Sequence, residues 1–432
     1  NKISKKNYSR SLSAIRSIFM FSIFFSSLLG YLGFLYFTKF GLEYMALKEA
    51  VVNRSMSFIF ILLVLRVSEF YFRMIFAMHE NFKFLAIVNS SYSILKIVPG
   101  FLICYVYDLG IDYFFLFQVI ISALLVINLQ ISSKRYTKGL KLLFVNFLSS
   151  VDYLRPYLNT ISFLAIGSIL SILGIQSDRL IIASNLSLAE FGYFSMSVLA
   201  ASILISLSTP ISTTFMPRIS KLISKNAQKN LLEIFDAFTS LSAIVIGNIA
   251  IFLIFFSYEI LIGWTGDKLF VENYSDIFRF YVLGNLCFSL SIYVYNVQLA
   301  SNNLKFHFTF QFVKYLIFVS IMVVLLNKLD AYSAMRYRAI TYFLINAIEL
   351  AFFGFFVFGK FLRDFQYRFF YLIFRGVLPS IILIPSIKLF FPEYSTQYDL
   401  VFYLSLFFFS NLFLIALLNT NKFKLIFKQL NQ

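Results

Sequence analysis

Apolar stretches of bilayer-spanning length recur twelve times along this 432-residue chain, at about 16–37, 56–79, 84–107, 112–132, 159–183, 191–216, 236–257, 277–300, 309–327, 338–359, 369–391 and 399–419. A membrane helix needs about 20 such residues, whereas a transmembrane barrel strand runs for about ten residues of alternating polarity. In lipid the backbone must satisfy its own hydrogen bonds, so stretches of this length are read as helices. The expected fold is therefore all-α, a polytopic membrane protein of twelve visible spans. Composition agrees: 60% of residues are hydrophobic and 13% charged, with a mean hydropathy of +0.82. Soluble domains carry roughly 25% charged residues, so a water-soluble enzyme or DNA-binding protein is excluded.

The formal net charge of +17 would suggest nucleic-acid binding in a soluble chain. Its distribution points elsewhere. With the visible N-terminus placed inside, 22 of the 37 Lys and Arg residues fall in loops on the inner side, from Lys2, Lys5 and Lys6 to Lys422, Lys424 and Lys428. Six fall on the opposite side: Lys39, Lys48, Arg54, Lys268, Lys328 and Arg336. This asymmetry is the positive-inside pattern, and it predicts that both visible ends are cytoplasmic, with the basic loops facing anionic lipid headgroups. No nucleic-acid partner is expected.

The N-terminal NKISKKNYSRSLSAIR abuts an apolar run too long for a signal peptide and without a small-residue cleavage site. With Asn in first place, a missing upstream piece is the expectation. Cys104 and Cys287 sit in apolar runs without C-x-x-C spacing, so neither a disulfide framework nor a zinc site is expected. The chain has no phosphate loop, H-E-x-x-H or G-x-S-x-G, and no loop exceeds about 26 residues. An ATPase, a catalytic metal and any other cofactor are thereby set aside. The longest basic loop, 133–158, reads as an interfacial connector between a four-span N-terminal bundle, 1–132, and an eight-span C-terminal bundle, 159–432.

Nine basic residues remain inside the spans: Arg66, Arg73, Lys96, Arg179, Arg279, Lys314, Arg338, Arg375 and Lys388. A charge at bilayer depth costs on the order of 2.5–3.5 kcal/mol, so central ones need a wet cavity or a partner. Arg279, Arg338, Lys388 and Arg375 lie near predicted span ends and are expected to snorkel to the headgroups. Arg66, Glu69 and Arg73 share one helical face by their i, i+3, i+7 spacing. They read either as a buried Arg–Glu–Arg clip or as a cationic wall suited to phosphate, which guanidinium forks bind bidentately. Lys96 has no acid within one turn; it reads as a ligand-binding charge or as the partner of Glu69, Asp178 or Glu349. Asp178 and Arg179 close a span with a polar stripe that includes Ser168 and Ser171, a pattern of a cavity-lining helix or of hydroxyls bonded to their own helix. Glu349, alone at mid-span, holds its proton unless a cation pairs with it. It reads as a proton or cation coupling residue, a simple buried acid or half of an ion pair. Pro210, among the small residues Ser202, Ser206, Ser208 and Ser212, is expected to kink its helix.

Residues 176–222, QSDRLIIASNLSLAEFGYFSMSVLAASILISLSTPISTTFMPRISKL, combine an Asp-Arg pair closing one helix, a Phe-Gly-Tyr turn, and a helix ending in Met-Pro-Arg-Ile-Ser. In these elements the chain resembles the seventh and eighth helices of Wzx-type polysaccharide flippases, in the multidrug/oligosaccharidyl-lipid/polysaccharide exporter superfamily. Members of that family have six helices before the basic connector, against four visible here, so the resemblance implies about two absent N-terminal helices and about fourteen spans in all. It implies two pseudosymmetric bundles around a central cavity in the bacterial inner membrane. It also implies a cargo, an undecaprenyl-pyrophosphate-linked oligosaccharide moved by alternating access for O-antigen, capsule or similar polysaccharide, with no bond made or broken. Arg66, Arg73, Lys96, Arg179 and Lys314 would hold pyrophosphate and sugar, and Glu69, Asp178 or Glu349 would couple transport to a proton or cation gradient. A polysaccharide polymerase and a chain-length regulator are the implied protein partners. Two alternatives remain: a multidrug/cation antiporter of the same superfamily, in which acids should dominate the cavity, and an O-antigen polymerase, which should carry a large outer loop with catalytic Arg residues.

Overall fold

A computed structural model describes residues 49–79, 81–101, 110–137, 187–225, 227–301, 305–354 and 365–390, with single positions 28, 31 and 162. The chain divides into two compact units, Asn1–Leu158 and Asn159–Gln432. Regular structure among the described residues is helical, without a strand. The expected spans at 16–37, 159–183 and 399–419, and most of the 133–158 connector, lie outside the described residues.

In the first unit, α1 (Glu49–Met78), α2 (Phe82–Phe101) and α3 (Ile111–Thr137) cover three of the apolar stretches. At 27 residues α3 is about 40 Å long, enough to cross a bilayer. It packs along α1, and Phe76 of α1, Val88 of α2 and Leu125 and Leu129 of α3 form the core of this unit. Phe76 is fully buried, stacked on Phe84 at 4.6 Å and edge-on to Tyr136 at 5.5 Å. Asn81 occupies the tight turn between α1 and α2: its amide donates to the Tyr136 hydroxyl at 2.8 Å, while its carbonyl oxygen accepts from the Phe84 N–H at 3.4 Å. The turn is thus fastened to α3.

In the second unit, α4 (Leu188–Ala201) begins with a capping box in which the Ser187 hydroxyl accepts from the Glu190 N–H and the Glu190 carboxylate accepts from the Ser187 N–H. The following α5 (Ile203–Ser224) continues after Ser202 alone, whose N–H is shared between the Val198 and Leu199 carbonyls at 3.1 Å each. The interruption of the 191–216 stretch therefore falls at Ser202, and Pro210 lies inside α5. Next, α6 (Gln228–Ser242) passes through a π-helical turn, Ala243–Gly247, into α7 (Asn248–Phe255). The Asn248 amide donates to the Ile244 carbonyl at 2.5 Å and its own oxygen accepts from the Ser380 hydroxyl, so the widened turn is satisfied by side chains. A short α8 (Ser257–Thr265) ends on Gly266 at φ +68°, where a left-handed C-cap favours glycine.

Asp267 caps α9 (Lys268–Ala300), 33 residues long and the centre of the second unit. It packs on α4, α5 and α11. The connection expected between 257 and 277 is thus helical over most of its length, since Gly266 stops one helix and Asp267 starts the next. Finally come α10 (Lys305–Lys328), α11 (Ala331–Phe352), capped by Asp330, and α12 (Phe365–Phe390). Phe194, Leu204, Phe270, Phe278, Val282 and Ala339 form the main core, and Phe215, Phe235, Phe238, Tyr293 and Phe369 a second. Helix α12 lies on the π turn because residue 376 is glycine: a Cβ there would come within 2.8 Å of the Ala243 Cβ.

Five stretches among the described residues are long and apolar enough to cross a membrane: Ile111–Tyr136, Ala189–Ser224, Asn230–Phe255, Lys268–Ala300 and His307–Leu325. The chain is an all-α, multi-pass membrane protein.

Candidate functional site

Helix α1 brings Arg66, Glu69 and Arg73 onto one face. Arg66 Nη1 donates to Glu69 Oε2 at 3.1 Å, and Arg73 Nη2 to Glu69 Oε1. The Glu69 side chain is 5% exposed and that of Arg66 58%. One carboxylate is thus buried between two forks, one of which remains open to the surroundings. Arg73 Nε is buried without a hydrogen-bond partner among the described residues. From α2, Lys96 lies within electrostatic reach of Arg66, Glu69 and Arg73. The Gln118 amide of α3 donates to the Lys96 carbonyl at 3.1 Å and ties α2 to α3 at this level. Glu69 is taken up by both arginines, and with Lys96 nearby the cluster has three basic side chains to one carboxylate. A surplus of that sign attracts an anion with several acceptor oxygens.

In the second unit Lys314 of α10 and Glu349 of α11 meet. Lys314 Nζ donates to Glu349 Oε2 and, at 2.9 Å, to Asn346 Oδ1. Gln311 Nε2 donates to Glu349 Oε1 at 2.7 Å. The chain of contacts continues inward. Asn346 Nδ2 donates to the Tyr342 carbonyl, the Tyr342 hydroxyl to Asn285 Oδ1 at 2.7 Å, and Asn285 Nδ2 to the Ala201 carbonyl at 2.8 Å. Lys314 and Glu349, which the sequence places in different roles, are each other's partners. The other two residues of the expected set, Asp178 and Arg179, lie outside the described residues.

Two residues expected at span ends have other surroundings. Helix α11 starts at Ala331, so Arg338 is two turns inside it and 3% exposed. Its guanidinium lies over Phe194 at 4.7 Å, Tyr281 at 5.2 Å and Phe318 at 5.8 Å, an aromatic cage drawn from α4, α9 and α10. Snorkelling is therefore the wrong description of Arg338. Arg279, three turns into α9, donates to Asp276 at 3.2 Å and to the Ser257 hydroxyl at 2.6 Å, and Asp276 also meets Arg336 at 3.4 Å. In both cases the helix starts about two turns before its apolar stretch does. The sequence signal that was available is the N-cap aspartate ahead of each, Asp267 and Asp330.

Asp267 also accepts from the Tyr193 hydroxyl at 2.6 Å, and this bond, with the Phe270 N–H, holds its carboxyl below the usual aspartate value. Beside the α4–α5 interruption an apolar groove of about 400 Å³ is lined by Leu199, Ile203, Leu253, Leu261, Trp264 and Phe278. The Ser202 and Ser206 hydroxyls at its edge donate back to the Leu199 and Ser202 carbonyls, so their O–H groups are used within the helix.

No protein-family model matches the chain, and no curated protein matches it in sequence. Solved structures do. A crystal structure of the Vibrio cholerae MATE transporter VcmN in its bent form is similar with a TM-score of 0.54 at 10% identity, over 86% of this chain and 82% of that one. A crystal structure of a VcmN mutant is similar with a TM-score of 0.58 at 11% identity, over 82% of each chain. At such identities the likeness is one of fold, and the chain is built on the helical-bundle fold of the MATE transporters.

Proposed function

We propose that this chain is a flippase of the bacterial inner membrane, moving an undecaprenyl-pyrophosphate-linked oligosaccharide from the cytoplasmic to the periplasmic leaflet by alternating access, with both visible ends cytoplasmic. The observation that carries this reading is the cluster on α1 and α2: three basic side chains to one carboxylate, with a buried guanidinium N–H that has no partner among the described residues. Arg66, Arg73 and Lys96 would hold the pyrophosphate, with Arg179 and Lys314 adding to the cationic path, while Glu69, Asp178 or Glu349 serves coupling to a proton or cation gradient. The isoprenoid tail stays among membrane lipids, and a polymerase and chain-length regulator receive the product. The cycle makes and breaks no covalent bond.

The likeness to the MATE transporter VcmN is as consistent with a second reading, a multidrug/cation antiporter. Expression of the chain in a flippase-deficient strain separates the two. The flippase reading predicts restored surface polysaccharide and loss of accumulated lipid-linked repeat units. Failure with every cognate repeat unit tried, together with gained resistance to cationic drugs, would select the second reading.

A further inference from the structure

On α10 the residues His307, Gln311 and Lys314 follow one another at i, i+4, i+7, and on α11 Tyr342, Asn346 and Glu349 do the same. The two helices are joined by two residues and run side by side, so these stripes face each other in opposite directions: Gln311 meets Glu349 and Lys314 meets Asn346. The Glu349 side chain is 2% exposed and that of Lys314 17%. Lys314 is the more accessible member of the pair. Its ammonium has three N–H groups, and Glu349 and Asn346 take two.

We propose that Lys314 and Glu349 act as one exchange pair: an anionic oxygen of the cargo displaces the Glu349 carboxylate from the Lys314 ammonium, and the freed carboxyl takes up one proton from the aqueous phase. This rests on the anion-carrier reading above and adds the linkage to it. Before exchange the pair is neutral, one ammonium against one carboxylate. Afterwards the ammonium faces the anion and the acid is protonated, so the interior again carries no unmatched charge. Without the proton a carboxylate would stand buried and uncompensated, which a low-dielectric interior disfavours strongly. Gln311 serves both forms, because its N–H donates equally to a carboxylate and to the carbonyl oxygen of a carboxylic acid. Proton and anion therefore bind together, do not compete, and each strengthens the other. A proton that travels with the exported cargo does not drive it, so coupling to an inward gradient falls to Glu69 or Asp178.

Among the described residues, the titratable groups facing the pair are few. His307 lies two turns from Lys314 on the same face, within electrostatic reach of both members, with its ring tilted against Tyr295 of α9 at 4.8 Å and Phe353 at 5.3 Å. Tyr342 lies two turns down α11 with its hydroxyl engaged by Asn285. From α9 the ammonium sees the Phe288 ring at 5.9 Å. A protonated His307 would also attract an anion, so the experiment separates the two residues.

The test is calorimetric titration of inorganic pyrophosphate into the protein in lipid nanodiscs, between pH 6 and 8 in buffers of different ionisation heat, which counts protons bound. Pyrophosphate titrates itself, so the readout is the difference between wild type and Glu349→Gln. The wild type should take up about one more proton per pyrophosphate, and the ratio of the two affinities should change about tenfold per pH unit where that proton is bound. His307→Gln should behave as the wild type. In infrared difference spectra of the wild type, binding should raise the carbonyl band of a protonated carboxyl, a check that needs no variant. Equal proton uptake in wild type and Glu349→Gln, a smaller uptake in the wild type than in Glu349→Gln, or an effect that disappears in His307→Gln instead overturns the exchange pair. Absence of pyrophosphate binding by the wild type overturns the anion-carrier reading itself.

Discussion

On α1 one carboxylate, Glu69, lies between two guanidiniums with the Lys96 ammonium also in reach, whereas between α10 and α11 a single ammonium meets a single carboxylate and both are completed by amides. The first arrangement keeps a charge surplus and an open fork, and the second keeps neither. Burial alone does not tell them apart, since Glu69 and Glu349 are both nearly inaccessible. The stoichiometry of charge does. A surplus is a standing attraction for a ligand of opposite sign, while a matched pair holds until something displaces one member.

The two clusters should therefore break differently. The largest effect is expected from replacing Arg66, Arg73 and Lys96 together by Gln: rescue of a flippase-deficient strain should vanish while the protein still reaches the membrane. Changing each Arg to Lys should restore rescue only in part, because an ammonium cannot bind phosphate in a planar fork. In the matched pair a loss of stability should accompany the loss of proton linkage. Glu349→Ala leaves a buried ammonium without its counter-charge and should lower stability by about 3–5 kcal/mol, whereas Lys314→Met with Glu349→Leu should be close to neutral. Unfolding midpoints in detergent for the single and double variants form the cycle that checks this. A smaller change is expected at the caged cation. Arg338→Met keeps the volume but gives up the cation–π contacts, costing about 1–2 kcal/mol, with no change in the pH dependence of pyrophosphate binding.

The smallest effects belong to the helix starts. Ser187→Ala removes one side of the α4 capping box and should cost about 1 kcal/mol. Asp267, whose carboxyl is held low by Tyr193 and the Phe270 N–H, stabilises the fold above the ordinary aspartate value of about 4 and loses that contribution as pH falls through its lowered value. Asp267→Asn should flatten the acid limb of the melting curve, measured between pH 3 and 6.

The helices of the described residues were legible because a bilayer demands long apolar runs, and the Arg66–Glu69–Arg73 face was legible because its contacts are three and four residues apart. Glu349 was recognisable as an acid that needs a cation, but its partner sits 35 residues away on another helix, a pairing that helical periodicity does not encode. Arg338 was misplaced because apolar runs mark the middle of a helix and not its first turns. The Ser202 interruption and the π turn at Ala243–Gly247 leave no mark in hydropathy either. Each depends on hydrogen bonds that other residues complete, such as Ser380 onto Asn248.

The most direct measurement is leaflet exchange of a fluorescent isoprenoid-pyrophosphate-linked oligosaccharide in proteoliposomes, read by quenching from outside. The account predicts exchange that depends on the protein and is lost in the Arg66→Gln, Arg73→Gln, Lys96→Gln triple variant. Exchange that the triple variant supports at the wild-type rate, or none by the wild type, would contradict it.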